Sequence, residues 1–303
     1  MRQAITILKA VAFLTSVALI FIALGLLLHS AGISLHSDGA EEGPKTILNT
    51  LVLCAIAFGT TIGFARLERR SPFSYGLADP NVARLWGWGA VTGAGAFAVL
   101  IIILARVDAI RFEPAHGSVP AILTWGLFWL GCYFVVAVAE EILFRGYLLS
   151  TLASGLGWPL AILITSLLFG LANLSNGLES PLAAVNGILL GAVLAWSVRR
   201  SGSLWWAIGL HTGWDWAESY VVGAADSGVR AMGRFMTAIP SGPLLWSGGT
   251  AGPEGSVAML VSIILAAFAC VFTLRRSRDF QDAGNSTLPR HEPDHSDQSG
   301  LDG

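Results

Sequence analysis

The sequence predicts an all-α fold, a polytopic bundle of about eight transmembrane helices, and three observations carry that prediction. Of 303 residues, 54% are hydrophobic and only 13% are charged, too apolar for an ordinary soluble domain. Apolar windows recur near 4–28, 46–65, 86–105, 121–144, 158–173, 182–198, 203–223 and 255–274. A helix needs roughly 20 residues to cross a hydrocarbon core about 30 Å thick, and most of these windows meet that length. Lysine and arginine sort to one side of such a bundle, the cytoplasmic side by the positive-inside rule.

Taken in order, the first window resembles a secretory leader, but its apolar part is about as long as a full span and no clean Ala-x-Ala site follows. It reads as an uncleaved first helix. The connection Ser30 to Pro44 carries Asp38, Glu41 and Glu42 and suits the outer side. With the N-terminus in the cytoplasm, Arg2, Lys9, Arg66, Arg69, Arg70, Arg84, Arg199, Arg200, Arg275, Arg276, Arg278 and Arg290 fall inside or at that interface. Lys45, Arg106, Arg111, Arg230 and Arg234 fall outside. Both termini are then cytoplasmic. The fifth and sixth windows are short and are expected to pack within the bundle. The glycine- and proline-rich stretch from Asp226 to Gly255 suits an outer loop, and its 247–256 part reads as a turn-forming connection. After Arg278 the chain is polar and cannot bury a core, so a disordered tail is expected. The organisation is therefore three N-terminal spans in 1–120, a four-span core in 121–223, an outer loop and last helix in 224–277, and the tail in 278–303.

A formal net charge of -2 with scattered basic residues excludes a nucleic-acid partner. Cys54, Cys132 and Cys270 fall in apolar windows at unrelated spacings, so neither a disulfide framework nor a thiolate metal site is indicated, and small core residues are expected. No internal repeat is evident, which weakens a reading as an inverted-repeat transporter.

The chemistry concentrates in three places. Glu140, Glu141 and Arg145 lie in the apolar stretch 121–149, where an ionised group costs roughly 2.5–3.5 kcal/mol on insertion scales and needs a polar cavity or a partner. Residues four apart share a helix face, so Glu141 can pair with Arg145 while Glu140, about 100° round, points elsewhere and is left to act as a general base. Of the six histidines only His211 falls inside a span, with Asp215 one turn on and Glu218 nearby. Phe169 and Asn173, again four apart, precede Asn176 and Asn186. An asparagine amide can hold an oxyanion or a water, and equally serves as interhelical glue. By helix rise, Glu140 and His211 lie at a common depth of roughly 12–14 Å from the cytoplasmic ends of their helices. Asn173 comes out nearer the outer end of its window.

These residues in this order, Glu140-Glu141-x-x-x-Arg145, Phe169-x-x-x-Asn173 and His211-x-x-x-Asp215, resemble the three motifs of the CPBP (Abi) intramembrane protease family, which includes the type II CAAX prenyl endopeptidases and bacteriocin-processing or immunity proteins. The likeness spans about residues 121–216. Phe144-Arg145-Gly146-Tyr147-Leu148, Gly187 to Gly191, and Ser201-Gly202-Ser203-Leu204-Trp205 add to it. The resemblance implies a helical bundle whose catalytic cavity opens to the cytoplasm. It implies Glu140 as the group activating water, Glu141 and Arg145 as its support, and His211 with Asp215 as binders of the transition state or the water. The family's second motif normally ends in histidine; here it ends in Asn173. An amide is a poor zinc ligand, so the departure favours a metal-free glutamate mechanism with Asn173 and His211 as oxyanion donors. The zinc alternative would draw on Glu140 and His211.

The leading expectation is thus an endopeptidase acting on a membrane-anchored or amphipathic peptide that enters from lipid or cytoplasm. The second is a non-proteolytic scaffold, immunity or accessory protein of the same family, and a proton-coupled transporter using Glu140 and Asp215 as relay groups ranks third. A glycine- and alanine-rich composition points to a bacterial inner membrane.

Overall fold

The structure, a computed structural model, describes residues 1–31, 41–42, 44–114, 117–174, 180–224 and 230–274. The predicted tail, Asn176, and the acidic part of the first loop around Asp38 lie outside the described residues. The helices are α1 (Arg2–Ser30), α2 (Pro44–Leu67), α3 (Val82–Arg106), α4 (Val119–Glu141), α5 (Leu149–Leu156), α6 (Trp158–Leu174), α7 (Pro181–Ser201), α8 (Trp205–Asp215), the single turn α9 (Leu244–Ser247) and α10 (Met259–Thr273). Every apolar window read from the sequence is occupied by a helix. Among the described residues five helical stretches are long and apolar enough to cross a membrane: Arg2–Ser30, Leu48–Leu67, Val82–Arg106, Val119–Leu156 and Pro181–Ser201. Trp158–Ala172 and Met259–Thr273 are shorter apolar helices.

Their outward faces are those of an integral membrane protein. Leu163, Leu167 and Leu171 on α6, and Ile264, Phe268 and Phe272 on α10, recur four apart and are exposed, forming apolar stripes that water would not tolerate at this size but lipid does.

Two wide-turn π-helical segments interrupt the α-helices. Ile142–Leu148 joins α4 to α5, and the chain kinks there at Gly146, whose φ of -79° and ψ of -109° leave the helical region. The kink has a geometric use: the continuous stretch Val119–Leu156 holds 38 residues, and about 1.5 Å per residue makes it much longer than a hydrocarbon core. Trp216–Val222 extends α8 in the same manner. Neither was expected.

Helices α3 and α8 approach each other closely. Gly89 and Gly93 on α3 face Gly209 and Gly213 on α8, four apart on each helix. A Cβ on any of them would overlap a backbone carbonyl of the other helix, those of Trp206, Leu210, Trp86 and Ala90 respectively. Small residues at this spacing let two backbones meet where apolar solvent supplies no hydrophobic drive. Phe97 of α3 adds an edge-on contact at 5.1 Å to Trp214 of α8. The α10 helix is fixed by Ser262, which donates to the Ala96 carbonyl at 2.8 Å, and by Arg200 of α7, which donates to the terminal carbonyls of Leu274 and Val271 at 3.1 and 2.9 Å.

The fold is all-α as expected, with a small addition in its connections. The connections at the predicted outer end form two short ladders: β1 (Glu41–Glu42) runs parallel to β3 (Arg230–Ala231), and β2 (Ile110–Glu113) pairs antiparallel with β4 (Thr237–Pro240). Alternating Ile110, Phe112, Thr237 and Ile239 suit a pleated surface. The stretch 247–256 is also more than a connection, because Ser247, Pro253, Gly255 and Ser256 are buried.

Candidate active site

Arg145 stands in the π-helical turn after α4 and is fully buried together with Glu141. Its Nη1 donates to Glu141 Oε1 at 2.9 Å and its Nη2 to the Gly191 carbonyl of α7 at 3.4 Å. The guanidinium lies 4.1 Å above the Phe169 ring of α6 and 5.7 Å from Phe144. A buried charge of this kind is tolerated only when paired and hydrogen-bonded. Arg145 therefore ties the end of α4 to α6 and α7. Gly191 admits this approach, since a Cβ there would sit 3.1 Å from Nη2.

The expected Glu141–Arg145 pair is thus present, and the same carboxylate does a second task. Glu141 Oε1 is 3.1 Å from His211 Nδ1. On the other side of the ring, Nε2 is 3.5 Å from Asp215 Oδ2 and 3.8 Å from Glu140 Oε2. The shared depth read from the sequence places Glu140 and His211 together, as the distance shows. His211 sits opposite the two glutamates, so adjacent side chains reach different nitrogens of one ring. A carboxylate therefore stands beside each ring nitrogen. The Phe169 ring meets His211 edge-on at 6.1 Å. Glu140 is the most accessible of the group, with 22% of its side chain exposed against 14% for Asp215, 12% for His211 and none for Glu141.

All these residues fall within one stretch of chain, and that stretch has a known likeness. Residues 122–217 match the family described as Rce1-like, type II CAAX prenyl endopeptidase. The resemblance to the CPBP family carried by the three motifs holds over this segment. The Rce1-like match implies an intramembrane protease of the CAAX type. No curated protein and no solved structure matches the chain.

Within the Rce1-like segment, Asn173 is in the last turn of α6, and its side chain lies outside the described residues. Asn186 has a structural task, as an asparagine in a membrane helix can. Fully buried on α7, its amide donates to the backbone carbonyls of Glu254 and Ser256 at 2.7 and 3.0 Å, pinning the 253–256 turn. Sequence reasoning missed Glu254. Its Oε1 accepts from the Trp214 indole at 2.7 Å, and Glu218 Oε2 accepts from the same N–H at 3.2 Å. The turn around Glu254 thereby reaches the residue next to Asp215, a contact across 40 residues with no local signal. The paired glycines of α3 and α8 were also missed, although a Gly-x-x-x-Gly spacing in an apolar helix is a readable signal.

Among the described residues no group of three or more His, Cys, Asp or Glu is arranged to hold a metal ion. Nδ1 of His211 is engaged by Glu141, and the carboxylates beside Nε2 belong to Glu140 and Asp215.

Proposed function

We propose that the protein is an intramembrane endopeptidase of the CPBP type, hydrolysing a peptide bond of a membrane-associated protein or peptide. The observation that carries the reading is the meeting of Glu140 with His211 and Asp215 across α4 and α8, beside a fully buried Glu141–Arg145 pair. In the proposed reaction Glu140 takes a proton from water as that water attacks the scissile carbonyl, then returns it to the departing amine. His211, held through Nδ1 by Glu141, turns Nε2–H toward the oxyanion, with the Asn173 amide as second donor. Asp215 orients the ring and balances its charge. Arg145 acts through Glu141 as a positioning residue.

The reading includes eight spans with both termini cytoplasmic, a cavity open to that side, a bacterial inner membrane and a peptide substrate arriving from lipid or cytoplasm. A second reading, a non-proteolytic scaffold, immunity or accessory protein, is favoured by one observation: Asn173 stands where the family motif has histidine.

The experiment is cleavage of membrane-anchored peptides by the purified protein, beside Glu140→Gln and with or without a zinc chelator. Loss of a general base is expected to lower the rate by about 10²–10⁴-fold while the fold is kept. Cleavage that survives chelation supports the glutamate mechanism, and cleavage lost to chelator restores the metalloprotease alternative. A folded protein that cleaves nothing supports the second reading.

A further inference from the structure

A cavity of about 170 Å³ opens between the start of α1, the residues following α2, and α5. Arg2, Lys9 and Arg70 line it together with the hydroxyl-bearing Ser150 and Ser154 and one carboxylate, Glu68. That carboxylate is already satisfied: Oε1 accepts from Lys9 at 2.8 Å and from Tyr147 at 2.9 Å, and Oε2 accepts from Tyr75 at 3.3 Å. Among the described residues no carboxylate pairs with Arg2 or Arg70. Arg70 is held by stacking, its guanidinium 4.9 Å from the Tyr75 ring. The first-turn N–H groups of α1, which has no side-chain cap, add positive potential at the same end.

We propose that this cavity binds a phosphate group. Two arginines, an ammonium, hydroxyls and a helix N-terminus around a space of that size are the donors a phosphate takes. The phosphate could belong to an anionic lipid headgroup or to a soluble phosphate ester. The surroundings favour lipid: Ile5 lines the cavity, and Ile5 and Leu8 of α1 are 47% and 68% exposed, offering an apolar face along which acyl chains run from a seated headgroup. Basic pockets between membrane helices recognise anionic lipid in this manner. The site is separate from the His211 cluster, and the proposal does not depend on proteolysis.

Native mass spectrometry of the detergent-purified protein tests it, with phosphatidylglycerol, phosphatidylcholine or glycerol phosphate added. Wild type is expected to retain phosphatidylglycerol over phosphatidylcholine. In Arg2→Gln/Arg70→Gln the retained fraction is expected to fall about tenfold, while Arg2→Lys/Arg70→Lys and the off-site Arg84→Gln keep it. Glycerol phosphate bound as well as the lipid would support the same site with a soluble ester as its source. Equal retention of the two lipids, with no glycerol phosphate bound, overturns the proposal. So does loss in the lysine variant as severe as in the glutamine one, because the arginines would then act through packing alone.

Discussion

Glu140 and Glu141 are neighbours with opposite environments, and their substitutions should separate cleanly. Removing Glu141 as Glu141→Ala leaves Arg145 buried without its carboxylate, a change that costs about 3–5 kcal/mol and should appear as a large drop in thermal midpoint in detergent. Glu140→Gln, at an accessible position with an isosteric amide, should leave that midpoint nearly unchanged. A second residue-scale prediction concerns Glu68, which lies beyond the end of α2. Burial acts to raise its pKa, but hydrogen bonds from Lys9, Tyr147 and Tyr75 and the Lys9 charge outweigh it and hold the carboxyl below its ordinary value of 4.5. Tyr75 is pushed up to about 12, first by burial and then by the Glu68 charge, and so stays a donor. Because the folded value of Glu68 lies below the unfolded one, its contribution is full above about pH 4.5 and is lost as pH falls through the folded value. Unfolding midpoints taken from neutral to acid pH should fall in that window, and Glu68→Gln should remove this part of the slope; an unchanged slope would refute the assignment. Much of the site could be read beforehand because it is built from pairs four apart, Glu141 with Arg145 and His211 with Asp215, whose geometry follows from helix period alone. The double engagement of Glu141 could not be read, since it depends on how α8 is rotated against α4.

At the scale of elements, the positions of the helices were legible because lipid imposes a length and a composition on each. The two π-helical segments were not, because their sequences are as apolar as the helices they interrupt. Glu254 on Trp214 and the short β ladders depend on pairings distant in sequence and were equally silent. The α3–α8 crossing carries the most specific prediction of this kind. On α3 a Cβ at Gly93 would overlap the Leu210 carbonyl, one residue before His211, whereas a Cβ at Gly95 meets nothing within 4 Å. Gly93→Ala must push the helices apart, an overpacking cost of about 1–3 kcal/mol, and shifts the backbone that carries His211. Gly95→Ala faces open space and should gain up to about 1 kcal/mol from helix propensity. The same chemical change two residues apart is thus expected to move the unfolding midpoint in opposite directions, with proteolytic rate falling only in Gly93→Ala. Equal effects would mean that the close approach does not set the position of α8.

At the scale of the whole molecule, the basic residues sort by end. Arg2, Arg66, Arg69, Arg70, Arg84, Arg199 and Arg200 gather at one end of the bundle, where Trp205 of α8 donates to the Leu77 carbonyl at 2.9 Å. Arg106, Arg111, Arg230 and Arg234 belong to the other end, where β2 meets β4. This sorting is what insertion with the arginine-rich end in the cytoplasm produces. The decisive helix is α6: with 17 residues it reaches only about 25 Å at 1.5 Å per residue, short of an average core but within reach of a locally thinned bilayer. If it crosses, Ser180 lies on the side of Ser118 and opposite Ser71; if it returns, Ser180 joins Ser71. Single cysteines at these three positions, in a background with Cys54, Cys132 and Cys270 replaced by alanine, can be probed with a membrane-impermeant maleimide on intact spheroplasts. Labelling of Ser118→Cys and Ser180→Cys with protection of Ser71→Cys is the expected pattern. Protection of Ser180→Cys beside a labelled Ser118→Cys would make α6 re-entrant and bring the end of the second motif, at Asn173, to the same side of the membrane as the opening proposed for the His211 cluster.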